Sequence, residues 1–292
     1  MNDLAPIASM NARAQPVARV PLAVVLPAYN EAGNLERLVR EIFAVVPPDL
    51  IGEVIVVDDA SDDGTPVEVK ALIGHFPRLR YIRHATRCGQ SAAIYTGVRA
   101  ARHGLIATLD GDGQNDPADI ASLAERAMRA LSAPVLVGGI RSKRQAERSK
   151  QLASRFANWI RNAVLADECP DTGCGIKVFD RDAFLALPYF SGMHRYLPAL
   201  FLMHGHGVGY LPVNDRLRTV GQSKYNNLGR ALIGIYDLIG VRWLRVRTTL
   251  PRIAEVYGGN AITETSDLQI SREARPCSAN SLHGGALSVL RS

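Results

Sequence analysis

The chain reads as an α/β protein with a mostly parallel sheet covered by helices on both faces. Two observations predict this. Short apolar runs alternate with stretches of helical periodicity through the first half of the chain, the pattern of right-handed βαβ units. Polar clusters follow the first, second and fourth runs: AYNE, DDASDDGT and DGDGQND. In open parallel sheets ligands bind at the carboxyl ends of the strands, so the clusters fall where such a fold would place a site.

LAVVLP (22–27) is a short run without charge and reads as a buried strand. Leu35, Leu38, Val39, Ile42 and Phe43 follow at helical spacing. EVIVVDD (53–59) is a second strand. Thr65 and Pro66 suit an N-cap and first helical position, opening a helix to about Phe76. LRYIR (79–83) is a third strand, a small-residue helix spans about 90–103, and LIATLD (105–110) is a fourth strand. Asp116 and Pro117 cap a helix carried by Ile120, Leu123, Ala127 and Leu131, and VLVGG (135–139) is a fifth strand.

The second half differs. Residues 141–165 read as a basic helix, then come CPDTGCGIKVF, a helix near 195–204, a strand near 208–215 and the loop RLRTVGQSKYN. Residues 196–213 carry no Asp, Glu, Lys or Arg, but their two Pro, three Gly and two His make them a buried helix, turn and strand rather than a span. LGRALIGIYDLIGVRWLRV (228–246) is apolar but broken by Arg230, Asp237, Arg242 and Arg245. It reads as an amphipathic helix, lying either on a membrane surface or against the protein core. The expected organisation is a flexible leader (1–20), a catalytic domain (21–227), the amphipathic basic helix (228–250) and a polar, disordered tail (251–292). The leader has no apolar core of a signal peptide.

Of the 292 residues 47% are hydrophobic and 21% charged, an ordinary globular balance, and the net charge of +6 suits an anionic partner or a solvated basic face. The four Cys form no CxxC pair and stand at no zinc spacing with His, so free thiols are expected.

TLDGDGQNDP (108–117) sets Asp110, Asp112 and Gln114 at alternate positions. A calcium EF-hand loop starting at Asp110 would require Gly at 115 and Glu at 121, where the chain has Asn115 and Ala121. A helix cap accounts for Asp116 but not for the other two. Two carboxylates this close repel unless a cation or a proton is shared, and hard oxygen ligands describe Mg²⁺ or Mn²⁺ bridging a diphosphate. No GxGxxG follows the first strand and no GxxxxGK[ST] occurs, which disfavours dinucleotide dehydrogenases and P-loop NTPases.

In order along the chain, PAYNE (27–31), VVDDASDDGT (56–65), GQSAA (89–93), TLDGDGQNDP (108–117), DTGCGIKVF (171–179) and GQSKY (221–225) resemble family 2 glycosyltransferases of the polyprenyl-phosphate type, relatives of dolichyl-phosphate mannose synthase. The resemblance covers about residues 20–250. It implies the nucleotide-diphospho-sugar transferase (GT-A, Rossmann-like) fold and an inverting transfer of sugar from a GDP- or UDP-sugar to a polyprenyl phosphate. Carried over residue by residue, it implies that Pro27, Tyr29, Glu31 and Asp59 hold the base and ribose, and that Asp110, Asp112 and Gln114 hold Mg²⁺ or Mn²⁺. Arg141, Arg148, Arg218, Ser223 and Lys224 would meet phosphate and acceptor. Asp171 is a candidate base or an organiser of the acceptor loop. The expected partners are the donor, the lipid phosphate and the cytoplasmic face of a membrane, bound peripherally, with no nucleic acid.

The chain departs from the family pattern in three places: Gly111 and Gly113 replace the usual Ala and Leu, and Arg87 replaces a common Asn. A transferase acting on a polysaccharide hydroxyl is the first alternative; such enzymes often carry QxxRW, and VRWLR (241–245) lacks the Gln. An inactive sugar-nucleotide-binding membrane scaffold is the second.

Overall fold

The computed structural model describes residues 20–130, 135–141, 161–216 and 227–251, with the backbone alone for 227–232. By its internal contacts the chain divides into residues 1–249 and 250–292; the second unit lies almost wholly outside the described residues.

Among the described residues seven strands form one sheet: β1 (Leu22–Ala28), β2 (Ile51–Asp58), β3 (Leu79–Arg83), β4 (Leu105–Thr108), β5 (Val135–Arg141), β6 (Lys177–Asp180) and β7 (Gly207–Val213). Their order is β3-β2-β1-β4-β6-β5-β7. Only β6 runs antiparallel to its neighbours β4 and β5. Helices among the described residues include α1 (Leu35–Val45), α2 (Thr65–Ile73), α3 (Gln90–Ala100), α4 (Asp119–Met128), α5 (Arg181–Leu185), α6 (Leu197–Met203) and α7 (Asn227–Arg247), with a 3₁₀ turn at Met193–Arg195; residues 161–165 are also helical.

Strand β1 shows why the sheet lies between two helical layers. Its side chains alternate: Leu22, Val24 and Leu26 join one core with α1, α2 and α4, while Ala23 and Val25 join the other with α3, α5 and α6. Leu22 to Leu26 are all 0% exposed, as a central parallel strand covered on both faces requires. Each such aliphatic side chain contributes about 1.5–3 kcal/mol on burial. On α1 the buried residues Leu35, Leu38, Val39 and Ile42 make one stripe. Helix α3 approaches the sheet closely because Gly97 faces it: a Cβ there would stand 2.4 Å from Val25 Cγ1 and 3.2 Å from Val57 Cγ2. Gly97→Ala should therefore destabilise the fold by about 1–3 kcal/mol through overpacking, read as a lower denaturant midpoint.

The boundaries differ from expectation where side chains have other work. Gly64, not Thr65, is the N-cap of α2, and Pro66 follows within its first turn. The Thr65 hydroxyl instead accepts the Glu31 N–H at 2.9 Å. Asp116 accepts from the Ala118 N–H at 3.0 Å, forming a turn ahead of α4 rather than its N-cap, which is Ala118. Strand β4 stops at Thr108, and β6 and α5 appear where no element was expected. Leu131, most of the expected basic helix, the leader and the tail lie outside the described residues.

Helix α7 has two sides. Val241 is buried and Leu238 packs against the same core, and the Tyr196 hydroxyl donates to the Gly234 carbonyl at 3.0 Å. Ile235, Tyr236, Ile239, Trp243 and Val246 are exposed. Leu238 thus faces the core, and Arg245 donates to the Leu165 carbonyl, so neither belongs to this exposed side. No helix among the described residues is long and apolar enough to cross a membrane.

Candidate active site

The carboxyl ends of β1, β2 and β4 meet where the chain leaves β1 for β2 on one side and pairs with β4 on the other. The loops there are tied together by side chains of opposite loops. Asp62 accepts from Asn30 Nδ2, and the Asp62 N–H returns a bond to Asn30 Oδ1 at 3.0 Å. The Asn30 N–H donates to Ser61 Oγ at 2.9 Å and the Ala32 N–H to Asp63 at 3.1 Å. Asp58, fully buried, accepts from the Ser61 N–H and the Tyr81 hydroxyl and pairs with Arg83. Asn30 and Ala60 both take positive φ, 53° and 62°, so the backbone turns sharply at each strand end.

Of the residues expected to hold the nucleotide, Asp59 is buried and reaches across to the next loop. It accepts from His84 Nδ1 at 2.8 Å, the Cys88 N–H at 2.8 Å and the Gly89 N–H at 2.7 Å. Its carboxylate thus fixes the turn that opens α3. Tyr29 lies under the Arg87 guanidinium, 4.1 Å from ring centroid to cation. Arg87, the departure from the usual Asn, therefore covers one ring face. Glu31 accepts from Asn34 Nδ2 at 2.8 Å. The Pro27 carbonyl and Glu31 both lie within 3.5 Å of where a Gly111 Cβ would be, which brings the β1 end and the acidic loop into one wall.

In the acidic loop Asp110 accepts from Gln90 Nε2 at 2.8 Å, and its own N–H donates to Asn115 Oδ1 at 3.1 Å. Asp112 accepts from the Gln114 N–H at 3.1 Å. Burial, and after it the Asp112 carboxylate, push Asp110 up to about 6; Lys177, Gln90 and Arg141 pull the other way. Two neighbouring carboxylates beside neutral and cationic groups form a hard-oxygen donor set that fits a divalent cation. The fit is close on the far side as well. A Cβ on Gly175 would stand 2.1 Å from Asp110 Oδ2, and Thr108 Oγ1 holds the Gly175 carbonyl at 3.0 Å.

Arg141, at the end of β5, grips Asp171 with two parallel bonds, Nε to Oδ2 at 2.7 Å and Nη2 to Oδ1 at 2.8 Å. Both carboxylate oxygens are committed to the guanidinium, so the geometry favours the organising role for Asp171. Arg148, Arg218, Ser223 and Lys224 lie outside the described residues. The segment ahead of the last three is described as far as Arg216, and it is laced to the acidic loop. The Arg216 N–H donates to the Gln114 carbonyl at 3.0 Å, and Asn115 bridges Asp215. The Asn214 N–H donates to Asp119 at 2.8 Å, and the Arg216 guanidinium pairs with Asp116 and Glu41, both at 2.7 Å.

Sequence reasoning missed Gln90, Lys177, Gly175 and Arg216. Gln90, Gly175 and Lys177 lie inside quoted motifs and Arg216 opens the quoted loop; the further signal available for Lys177 was a lone cation in an apolar run. It is buried, donating to the Cys174 carbonyl. Cys88, Cys169 and Cys174 are free thiols.

Comparison with known proteins gives a consistent result. Residues 23–187 match the family model described as glycosyl transferase family 2. A dodecaprenyl-phosphate galacturonate synthase of Rhizobium johnstonii is 32% identical over 231 residues, covering 77% of this chain and 68% of its own. An undecaprenyl-phosphate 4-deoxy-4-formamido-L-arabinose transferase of Aeromonas hydrophila is 30% identical over 248 residues, covering 81% and 71%. Among solved structures, glucosyl-3-phosphoglycerate synthase of Mycobacterium tuberculosis, in complex with Mn²⁺, UDP and phosphoglyceric acid, has a TM-score of 0.60 at 18% identity, covering 79% of this chain and 80% of that one. The shared fold is GT-A.

Proposed function

The chain belongs to glycosyl transferase family 2, and we propose that it transfers a sugar from a GDP- or UDP-sugar to a polyprenyl phosphate, with inversion at the anomeric carbon. The observation that carries this reading is the Asp110–Asp112 pair at the end of β4, set against the Pro27–Glu31 loop. Similarity to polyprenyl-phosphate transferases over most of the chain supports the acceptor class.

In this reading Pro27, Tyr29, Glu31 and Asp59 line the nucleoside end of the donor, and Asp110 and Asp112, with Gln114, hold Mg²⁺ or Mn²⁺. A divalent cation bound there would offset the charge that develops on the departing diphosphate. Gln90 keeps Asp110 aimed at that position. Arg141, Arg148, Arg218, Ser223 and Lys224 bind the phosphates of donor and acceptor. Arg141 and Asp171 act as one braced unit, since the pair is largely buried. A lipid phosphate is anionic at neutral pH and needs positioning rather than a general base. A sugar hydroxyl would need a base, and Asp171 is committed to Arg141; this disfavours the polysaccharide acceptor.

The test is direct. The protein is incubated with Mn²⁺, a polyprenyl phosphate and a panel of GDP- and UDP-sugars. Lipid-linked sugar from one donor, abolished by EDTA, is the expected result; hydrolysis or inertness with every donor would overturn the reading.

A polyprenyl chain stays in its bilayer, because each buried CH₂ contributes about 0.8 kcal/mol, so the enzyme must come to it. The bare stripe Ile235, Tyr236, Ile239, Trp243 and Val246 beside exposed Arg242 and Arg247 suits peripheral contact with an anionic cytoplasmic leaflet. Basic residues near such a surface contribute about 1 kcal/mol each. Changing Arg242 and Arg247 together to Glu should lower partitioning onto anionic vesicles by at least roughly thirtyfold, and salt should weaken the wild type likewise. Equal recovery in the supernatant with and without vesicles would exclude α7 as the contact.

A further inference from the structure

On the far side of the β2 end from the acidic loop, three unlike ligand groups converge. Asp59, His84 and Cys88 place a carboxylate oxygen, an imidazole nitrogen and a thiol sulfur all within 4.8 Å of one another. We propose that they form a second cation site, separate from Asp110 and Asp112, which takes a thiophilic divalent ion of the Zn²⁺ class.

The chemistry distinguishes the two sites. A hard-oxygen pair suits Mg²⁺ or Mn²⁺, whereas an oxygen, nitrogen and sulfur set suits Zn²⁺. Ligand atoms of a tetrahedral zinc centre lie about 3.3–3.8 Å apart, as bond lengths of about 2.0–2.3 Å require. His84 Nδ1 and Asp59 Oδ1 already stand 2.8 Å apart, so an ion entering between them must part them slightly. Cys88 must close in, and its exposed side chain is free to turn from its present contact with the Thr86 carbonyl at 3.2 Å.

The supporting shell is in place. Histidine ligands usually give their second ring N–H to a neighbour that fixes ring and tautomer. Here His84 Nε2 stands 2.9 Å from Thr96 Oγ1, which can accept that proton and leave Nδ1 as the ligand. The Gly89 N–H on Asp59 Oδ2 at 2.7 Å holds the carboxylate. The His84 N–H donates to the Asp58 carbonyl at 2.8 Å, fixing the backbone on which the ring sits. On binding, the Cys88 thiol proton leaves to solvent and the imidazole proton moves from Nδ1 to Nε2, a net release of one proton per ion. The three protein ligands leave a fourth position open.

Under the proposed function, on which this effect rests, Asp59 belongs to the wall of the nucleoside pocket, so zinc there should obstruct the donor.

The experiment titrates Zn²⁺ into the full chain, without nucleotide, against a chromophoric chelator. Co²⁺ serves as a spectroscopic probe, and proton release is read from heats in buffers of different ionisation enthalpy. One equivalent bound, a thiolate-to-cobalt charge-transfer band and one proton released are expected. Cys88→Ser should weaken zinc at least tenfold and abolish the band, whereas Cys277→Ser should change neither. Zinc held equally well by Cys88→Ser, or a cobalt spectrum without the band, overturns the site. With Mn²⁺ fixed, zinc should raise the donor KM of the wild type but not of Cys88→Ser. Zinc that binds through Cys88 yet leaves donor KM untouched keeps the site and overturns the placement of the nucleoside against Asp59.

Discussion

Asp112→Asn is expected to lower kcat by about 10²–10³-fold, roughly 3–4 kcal/mol of barrier, the usual cost of removing one contact that stabilises developing charge. Asn keeps the size and the oxygen that accepts the Gln114 N–H, so the loop can keep its turn and the thermal midpoint should hardly move. What is lost is the second negative charge facing the cation. Chelation of the wild type should give the same phenotype, and excess Mn²⁺ should rescue the wild type but restore little to the variant. Full activity in EDTA would remove the metal from the mechanism. A pH series adds a second readout. Without a cation, burial first and Asp112 second push Asp110 up to about 6, so a proton and a cation compete for it. The divalent-ion concentration for half-maximal activity should rise as pH falls through about 6. In Asp112→Asn, which withdraws the second cause, that rise should begin at lower pH.

Gly175→Ala should be nearly as damaging although it changes no charge. The new methyl would stand 2.1 Å from Asp110 Oδ2 and 2.4 Å from Asp110 Cγ. Either Asp110 swings away from Gln90 or the Gly175 backbone retreats and breaks its bond from Thr108. A displacement near 1 Å in a reacting array typically costs about 10²-fold in rate. Overpacking should also take about 1–3 kcal/mol from stability, so activity is measured well below the unfolding transition. The two variants are distinguishable: Asp112→Asn loses a charge, whereas Gly175→Ala keeps both carboxylates and misplaces one. Metal affinity should therefore fall more in the first. A Gly175→Ala enzyme within a fewfold of wild type would mean that Asp110 works from another position.

The residues that could be read in advance share a property: their signal is local. Leu22–Ala28 and Ile51–Asp58 announce themselves as buried strands because every residue must tolerate two covered faces. The Asp110, Asp112 and Gln114 spacing is visible because alternation brings these positions together within a few residues. Strand β6 was not legible. It is four residues long, begins with a buried Lys, and pairs antiparallel with β4, a strand from far earlier in the chain. Its register exists only once the sheet does.

The α/β class, the strand ends where polar clusters gather and the order of motifs that resembles one family are legible in the residues alone, because periodicity, turn residues and charge spacing act over a few positions. The tertiary structure alone decided which groups surround Asp110. Gln90 arrives from α3, Gly175 and Lys177 from around β6, and Arg216 ties the exit of β7 to the same loop. It also decided that Asp171 is held by Arg141 and that α7 turns Leu238 inward and Trp243 outward. These are contacts between distant segments. Their energies depend on burial and on a partner's distance, neither of which is a property of any short stretch of chain.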